Sequence, residues 1–114
     1  MLRSITAFAV LACTTSAFAG AFPVTLTDSS GAEVTIPTEP ANVAALWVAA
    51  ADMLVALDRP VGGITTYEGA RPVYLGDAVA KAVDLGDITA PNLEIMAIEG
   101  YDLTIGLTRY NAPY

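Results

Sequence analysis

The chain has 114 residues, 54% of them hydrophobic and 15% charged, so it is long enough for about one domain and too apolar to be disordered. Its formal net charge of −7 argues against nucleic-acid binding, because contacts with phosphates need a basic surface. It contains no histidine and a single cysteine, Cys13, which excludes a Ser-His-Asp triad, a Cys-His pair and ordinary zinc sites.

Residues 1–19 have the pattern of a secretory signal peptide. One positive residue, Arg3, precedes an apolar run, and an Ala-Phe-Ala sequence follows at 17–19. The run is shorter than the roughly 20 residues that span a bilayer. We therefore predict cleavage after Ala19 and export to a bacterial periplasm. Lipid attachment at Cys13, after a shorter signal, is the alternative.

A β-hairpin is predicted directly after this segment. Residues 24–27 and 34–36 alternate apolar and polar side chains, and the turn-forming sequence Asp-Ser-Ser-Gly lies between them at 28–31. We expect the hairpin to lie at the edge of the domain, with Asp28 serving its turn.

The next 28 residues, 40–67, predict a strand, a helix and a second strand. Residues 42–47 form an apolar run suited to a buried strand. The following apolar residues have the i, i+3, i+4, i+7 spacing of one helical face: Ala50, Met53, Leu54 and Leu57. Pro60 ends the helix because it lacks the N–H that the helix would need, and residues 61–66 resume a β-like run. This unit predicts a parallel α/β sheet buried on both faces.

The second half of the chain gives weaker signals. Residues 73–83 favour a helix that Gly76 interrupts, so that only 78–83 suits a regular helix, and residues 84–87 favour a short strand or turn.

A last helix and strand complete the predicted elements. The helix is predicted to begin within residues 90–94, with Asn92 as its N-cap because the side-chain oxygen can accept a backbone N–H. Residues 101–107 predict the last strand, and 108–114 run off its carboxyl end.

Five arginine or aromatic residues lie at or just past the ends of predicted strands: Trp47, Tyr67, Arg71, Arg109 and Tyr110. In open α/β sheets, ligands bind outside the carboxyl ends of the strands. Arginine presents a planar fork suited to anions, while tyrosine and tryptophan add stacking area. We predict that they form a shallow pocket for an anionic or oxygen-rich ligand. The alternative is that the aromatic residues are ordinary core side chains and the arginines are solvated surface charges.

Residues 24–114 are covered by three stretches in a fixed order: VTLTDSSGAEVTIP, PANVAALWVAAADMLVALDRPVGGITTY and DLGDITAPNLEIMAIEGYDLTIGLTRYNAPY. In this order and spacing they resemble the N-terminal lobe of the periplasmic substrate-binding proteins of iron–siderophore, haem and vitamin B12 ABC importers. The most specific pieces are 91–94 and 101–106. The ending, 109–114, is most similar to the ferric-dicitrate and ferric-hydroxamate branch.

The resemblance implies a Rossmann-like α/β lobe with a leading β-hairpin, in a protein whose two lobes hold the ligand between them. It implies a carrier without enzymatic activity, which captures a ferric siderophore and delivers it to an inner-membrane permease. The five residues of the predicted pocket would be this lobe's share of the binding site. Iron would arrive inside its chelate, so neither a cofactor nor a metal ligand from the protein is expected.

The resemblance also has departures. Residues 20–114 correspond to the N-terminal lobe, so we expect a truncated, monomeric chain that lacks the linking helix and the C-terminal lobe. Asp58 stands where the family usually has glycine after the helix, and Glu99-Gly100-Tyr101 replaces the usual lysine–proline.

The sequence leaves three other interpretations of the function open. A haem or cobalamin carrier of the same fold is the first, and haem would favour Tyr67 or Tyr110 as an exposed axial ligand. The second is an exported flavodoxin-like enzyme, for which the exported part offers Ser29 and Ser30 as nucleophiles but no base of the usual kind. The third is a remnant that no longer binds a ligand.

Overall fold

The computed structural model of the protein describes residues 22–114. The predicted signal peptide at 1–19, its cleavage point and Cys13 lie outside the described residues. Across 22–114, every helix is too short or too polar to cross a membrane.

The leading hairpin forms a small sheet of its own. Strand β1 (Val24–Thr27) pairs antiparallel with β2 (Glu33–Ile36). In the turn, Asp28 Oδ1 accepts hydrogen bonds from the Ser30 hydroxyl at 2.6 Å and from the backbone amides of Ser30 and Ala32 at 2.8 and 2.9 Å. These bonds, the Ser30 hydroxyl first, lower the pKa of Asp28 because they stabilise the ionised carboxylate. The predicted hairpin and the turn role of Asp28 are confirmed.

The main sheet has five strands in the order β6-β5-β4-β3-β7. They are β3 (Val43–Ala45), β4 (Gly63–Thr66), β5 (Val83–Asp87), β6 (Ala90–Pro91) and β7 (Leu103–Ile105). β3, β4, β5 and β7 run parallel to one another, and β6 pairs antiparallel with β5. The predicted parallel α/β core is therefore confirmed, with one short antiparallel strand added at its edge.

Helical segments connect these strands. In the described part of the chain they are α1 (Val48–Ala56), a 3₁₀ segment (Val73–Val79), α2 (Leu93–Glu99) and α3 (Thr108–Asn111).

Two apolar clusters cover the two faces of the sheet. On one face, Ile64 of β4 packs with Leu54 of α1 and with Val79 of the 3₁₀ segment. On the other, Leu85 of β5 packs with Leu46 and with Met96 of α2. Ile64 and Leu85 have no exposed surface, and full burial of such a side chain contributes about 1.5–3 kcal/mol to folding. Burial of the central strands on both faces is what the apolar runs predicted.

Several predicted boundaries are wrong. The regular helix expected over 78–83 does not form: the 3₁₀ segment ends at Val79 and β5 begins at Val83, while Gly76 has a φ of +49° that breaks the segment in two. Residues 90–91 form β6 instead of starting a helix.

The predictions at three further positions have different outcomes. Asn92 is the N-cap of α2 as predicted, and its Oδ1 accepts from the Ile95 amide at 3.0 Å. Trp47 lies past the end of β3 and is the residue before α1, not the last residue of a strand. Residues 108–111 form α3, a short helix that was not predicted for the segment past the last strand.

Candidate functional site

A cleft of about 510 Å³ lies at the carboxyl ends of the parallel strands. Four of the five residues predicted for the site line it: Trp47, Tyr67, Arg71 and Tyr110. The other lining residues are Val48, Thr65, Thr66, Ala70, Pro72, Ile88 and Thr89. The lining residues form four walls of the cleft. Each wall follows the carboxyl end of one parallel strand, which is where a ligand is expected in an open α/β sheet.

The first wall is formed by Trp47 and Val48. Trp47 has an extended backbone, with φ −150° and ψ 142°, between the end of β3 and the start of α1. Its carbonyl accepts from the amides of Ala50 and Ala51, at 3.0 and 3.3 Å, so the first turn of α1 fixes its backbone. The half-buried indole therefore lies on a rigid support at one side of the cleft.

The second wall is a tight turn after β4. The amides and carbonyls of Tyr67 and Ala70 bond to each other, at 3.1 and 3.0 Å. The two residues between them, Glu68 and Gly69, both have positive φ, +51° and +75°. Such a turn holds Tyr67 and Ala70 side by side at the rim, and the Tyr67 side chain is 68% exposed.

Arg71 lies between this turn and the 3₁₀ segment. Its Nη1 donates to the Val79 carbonyl and its Nη2 to the Ala82 carbonyl, both at 2.8 Å. The half-buried guanidinium therefore holds the carbonyls at and just past the end of the 3₁₀ segment, and it also lines the cleft. The sequence placed Arg71 at the site but did not indicate this second role, because the partners are backbone groups eight and eleven residues away.

The third wall is Ile88 and Thr89, which follow β5. The Ile88 amide donates to the Thr66 carbonyl at 3.0 Å. Asp87 Oδ1 accepts from the Thr89 hydroxyl at 2.6 Å and from the Thr89 amide at 2.9 Å. The Thr89 hydroxyl is the main cause that lowers the pKa of Asp87, so this carboxylate is ionised at neutral pH.

Sequence reasoning missed Ile88 and Thr89. The signal that would have found them is the one that found Tyr67, namely a position just past the carboxyl end of a parallel strand. Because the sequence predicts residues 84–87 only as a short strand or turn, it does not fix a strand end before Ile88.

The fourth wall is Tyr110 on α3. Arg109 does not line the cleft, and its guanidinium carbon lies 5.7 Å from the centroid of the Tyr110 ring, within range of a cation–π interaction. Two side chains from the same segment reach the third wall: Asn111 Nδ2 donates to the Ile88 carbonyl at 3.1 Å, and Tyr114 Oη donates to the Thr89 carbonyl at 3.0 Å. The sequence did not indicate these two contacts.

Aromatic and aliphatic groups dominate the lining of the cleft, and its polar side-chain groups are hydroxyls, the indole N–H of Trp47 and one guanidinium. Within residues 22–114, no three His, Cys, Asp or Glu side chains are grouped so that they could hold a metal ion.

Solved structures with a similar fold include SirA of Staphylococcus aureus in complex with staphyloferrin B, with a TM-score of 0.71 and 23% sequence identity. They also include the iron-uptake ABC-transporter substrate-binding protein PiuA of Streptococcus pneumoniae, with a TM-score of 0.67 and 31% identity. A third is the siderophore-binding protein BauB, bound to a complex of two acinetobactin molecules and ferric iron, with a TM-score of 0.62 and 31% identity.

These matches cover 78%, 78% and 72% of this chain, but only 31%, 31% and 29% of the three solved chains. The chain thus spans about a third of the length of the solved chains that it matches. No protein-family model and no curated protein matches the chain. The predicted resemblance is confirmed: this chain has the α/β fold found in part of the substrate-binding proteins of siderophore and iron-uptake ABC transporters.

Proposed function

We propose that the chain captures a ferric siderophore for an ABC importer and contributes one side of the ligand-binding cleft. The observation that carries this proposal is the location of the cleft, at the carboxyl ends of four parallel strands in a fold shared with siderophore-binding proteins. The indole of Trp47 and the phenol rings of Tyr67 and Tyr110 would contact the chelate. Arg71 would donate hydrogen bonds from its remaining N–H groups, and Arg109 would reach a ligand that extends past Tyr110.

In this proposal the protein does no chemistry on its ligand. Iron stays coordinated by the siderophore, so the chain contributes contact area and hydrogen bonds and no metal ligand. A second lobe would cover the chelate and exclude water, which strengthens the polar contacts of the first lobe. Export with cleavage after Ala19, a periplasmic location and delivery to an inner-membrane permease complete the proposal.

Equilibrium dialysis of the purified chain against metal complexes tests the proposal. The probes are a ferric trihydroxamate, ferric dicitrate, haem and cobalamin, and the fluorescence of the single tryptophan, Trp47, gives a second readout. We expect saturable binding of a ferric chelate and none of the iron-free ligand. A shifted haem absorption band with no chelate binding would instead support the haem carrier.

A matched pair of tyrosines controls for general effects of substitution. Tyr67 and Tyr74 have the same exposure, 68%, but only Tyr67 lines the cleft. Tyr67→Ala is expected to weaken chelate binding about tenfold through lost stacking, and Tyr74→Ala to leave it unchanged. If the folded chain binds no ligand, or if both substitutions weaken binding equally, the proposal is wrong.

A further inference from the structure

The charge distribution around the cleft bears on which ferric chelates it can hold. The sequence has twelve acidic residues and five cationic ones, and one of the five, Arg3, lies outside the described residues. Of the described cationic side chains, Arg71 alone lines the cleft. A highly charged anion seated among the lining residues would therefore have one cation there to compensate for the water that it loses on binding.

The guanidinium of Arg71 already makes hydrogen bonds within the protein. The two terminal nitrogens of Arg71 each donate to a backbone carbonyl, of Val79 and of Ala82, at 2.8 Å. The fork that usually receives a carboxylate is therefore already occupied on one side by protein oxygens. Arg109, the other arginine near the cleft, has its guanidinium by the Tyr110 ring.

Carboxylates stand close to the cleft on two walls. Asp87 holds the backbone amide and hydroxyl of Thr89, which is itself a lining residue. Glu68 lies in the turn between the lining residues Tyr67 and Ala70, and its side chain is exposed. Both would repel an anion in the cleft, and neither is paired with a lysine or arginine among the described salt bridges.

Two of the five hydroxyl groups of the lining already donate within the protein: Thr66 Oγ1 to the Gly86 carbonyl at 3.2 Å, and Thr89 Oγ1 to Asp87. The other three, of Thr65, Tyr67 and Tyr110, are neutral groups. What the cleft offers a ligand is thus mainly the faces of aromatic rings, the surfaces of aliphatic side chains and neutral hydroxyls. Such a surface favours a ligand that needs little desolvation of charge.

We infer that the chelate captured by this cleft has a low net charge, neutral or weakly cationic, and carries its oxygen-coordinated iron inside an apolar exterior, which is the chemistry of a ferric trihydroxamate. The inference rests on the proposed function and narrows it. It disfavours ferric dicitrate and anionic tris-catecholates, whose charge this lobe does not neutralise.

A series of ligands with one coordination shell and different charges tests the inference. A linear trihydroxamate with a free, acetylated or succinylated terminal amine gives cationic, neutral and anionic ferric complexes of nearly the same shape. Dissociation constants for the full chain are measured by equilibrium dialysis, with a ferric tris-catecholate as the most anionic probe. We expect the neutral complex to bind about tenfold more tightly than the succinylated one, and the difference to shrink at high salt as exposed charges are screened.

Two aspartates with the same local motif provide the matched variants. Asp87→Asn keeps an oxygen for the Thr89 amide and hydroxyl but removes the charge beside the cleft. It is expected to reduce the preference for the neutral over the succinylated complex, measured as the ratio of their dissociation constants, about threefold. Asp28→Asn makes the same change in the hairpin turn, where Asp28 holds Ser30 outside the cleft, and is expected to leave the preference unchanged.

The possible failures of the two proposals differ. If the anionic complexes bind as tightly as the neutral one, or if Asp28→Asn narrows the preference as much as Asp87→Asn, the charge inference is wrong while the carrier function stands. If the folded chain binds no chelate of any charge, the carrier function fails and the inference fails with it.

Discussion

Asn111 joins two walls of the cleft by a single side chain. Its Nδ2 donates to the carbonyl of Ile88 at 3.1 Å, and its Oδ1 accepts from the Leu107 amide at 2.8 Å, just before α3 begins. Ile88 lines the third wall, and Tyr110, next to Asn111 in the chain, lines the fourth. The amide of one residue thus sets the distance between two lining segments that are 23 residues apart in sequence.

Replacement of Asn111 by aspartate tests this bridge. The carboxylate of Asn111→Asp can still accept from Leu107 but cannot donate to Ile88, and it places a charge against the Ile88 carbonyl. We expect a loss of about 1–3 kcal/mol in the free energy of unfolding. Hydrogen exchange should quicken at the Ile88 amide, which bonds to the Thr66 carbonyl.

Asn92→Asp is the control for this substitution. Asn92 caps α2 through its oxygen alone, and asparagine and aspartate cap helices about equally well. The control should therefore leave stability unchanged. Equal stability of the two variants would show that the bond between Asn111 and Ile88 contributes nothing.

Arg71 is expected to stabilise the fold independently of any ligand. The planar guanidinium of Arg71 bonds to the carbonyls of Val79 and Ala82 through two separate nitrogens. A lysine at this position has a single nitrogen and cannot reproduce both bonds in that geometry. Arg71→Lys should therefore lower the free energy of unfolding by about 1.5–3 kcal/mol in urea titrations while it keeps the charge.

Arg59→Lys gives the comparison for Arg71→Lys. Arg59 forms an exposed ion pair with Glu39, and such pairs are worth about 0–1 kcal/mol. Equal losses in the two variants would contradict the structural role of Arg71. A real difference would also mean that weaker ligand binding by Arg71→Ala cannot be taken by itself as evidence of a ligand contact.

The local parts of the fold could be predicted from the sequence. The hairpin follows from alternation and a turn sequence, and α1 follows from its apolar spacing and the stop before Pro60. The ends of strands were less predictable because pairing decides them. β3 covers only Val43–Ala45, the residues that pair with Leu103–Ile105 of β7, although the apolar run is longer.

The lining of the cleft follows from the sequence where it depends on topology and not where it depends on side-chain partners. A position past a strand end identified Tyr67 and Tyr110, and both line the cleft. No sequence pattern indicates that Arg71 bonds to backbone carbonyls or that Asn111 reaches Ile88, because these contacts form only when the chain is folded.

Tyr101 explains why β4 begins with a glycine, Gly63. A Cβ atom on Gly63 would lie 2.7 Å from Tyr101 Cζ and 2.8 Å from Leu85 Cδ1. Gly63→Ala should therefore lower the free energy of unfolding by about 1–3 kcal/mol in thermal or urea denaturation. An unchanged midpoint would mean that the Tyr101 ring moves away at no cost.

Tyr101→Phe is expected to be neutral or stabilising, and to change the response to alkali. The buried Tyr101 hydroxyl has no hydrogen-bond partner among residues 22–114, and burial, with the Glu99 carboxylate adding to it, raises the pKa of the phenol. Because the pKa of this phenol is lower in the unfolded chain than in the folded one, the unfolded chain loses the proton first as the pH rises. The free energy of unfolding of the wild-type protein should therefore fall as the pH rises above the ordinary tyrosine value of 10.0.

Unfolding free energies at about pH 8 and about pH 11 measure this effect. The loss between the two pH values should be smaller in Tyr101→Phe than in the wild type. Tyr74→Phe, at an exposed position, should behave as the wild type does. Identical losses in all three proteins would exclude a contribution from Tyr101.

Asp58 occupies a position at the end of α1 that favours glycine. Its φ is +56°, and the amides of Asp58 and Arg59 bond to the carbonyls of Val55 and Leu54, at 3.0 and 2.8 Å, as in a Schellman motif. The left-handed backbone and the negative charge near a helix C-terminus are both unfavourable for aspartate. Asp58→Gly should therefore raise the free energy of unfolding by about 0.5–1 kcal/mol, net of the greater freedom of the unfolded glycine chain.

Two further variants separate the causes of this gain. Asp58→Asn removes the charge and keeps a side chain, so the part of the gain that it reproduces belongs to the helix dipole. Asp52→Gly makes the same substitution in the exposed interior of α1, where the backbone is helical, and should cost about 0.5 kcal/mol. Opposite signs at positions 58 and 52 in urea denaturation would establish that backbone conformation decides the effect, whereas a loss of stability at both would contradict the strain assigned to Asp58.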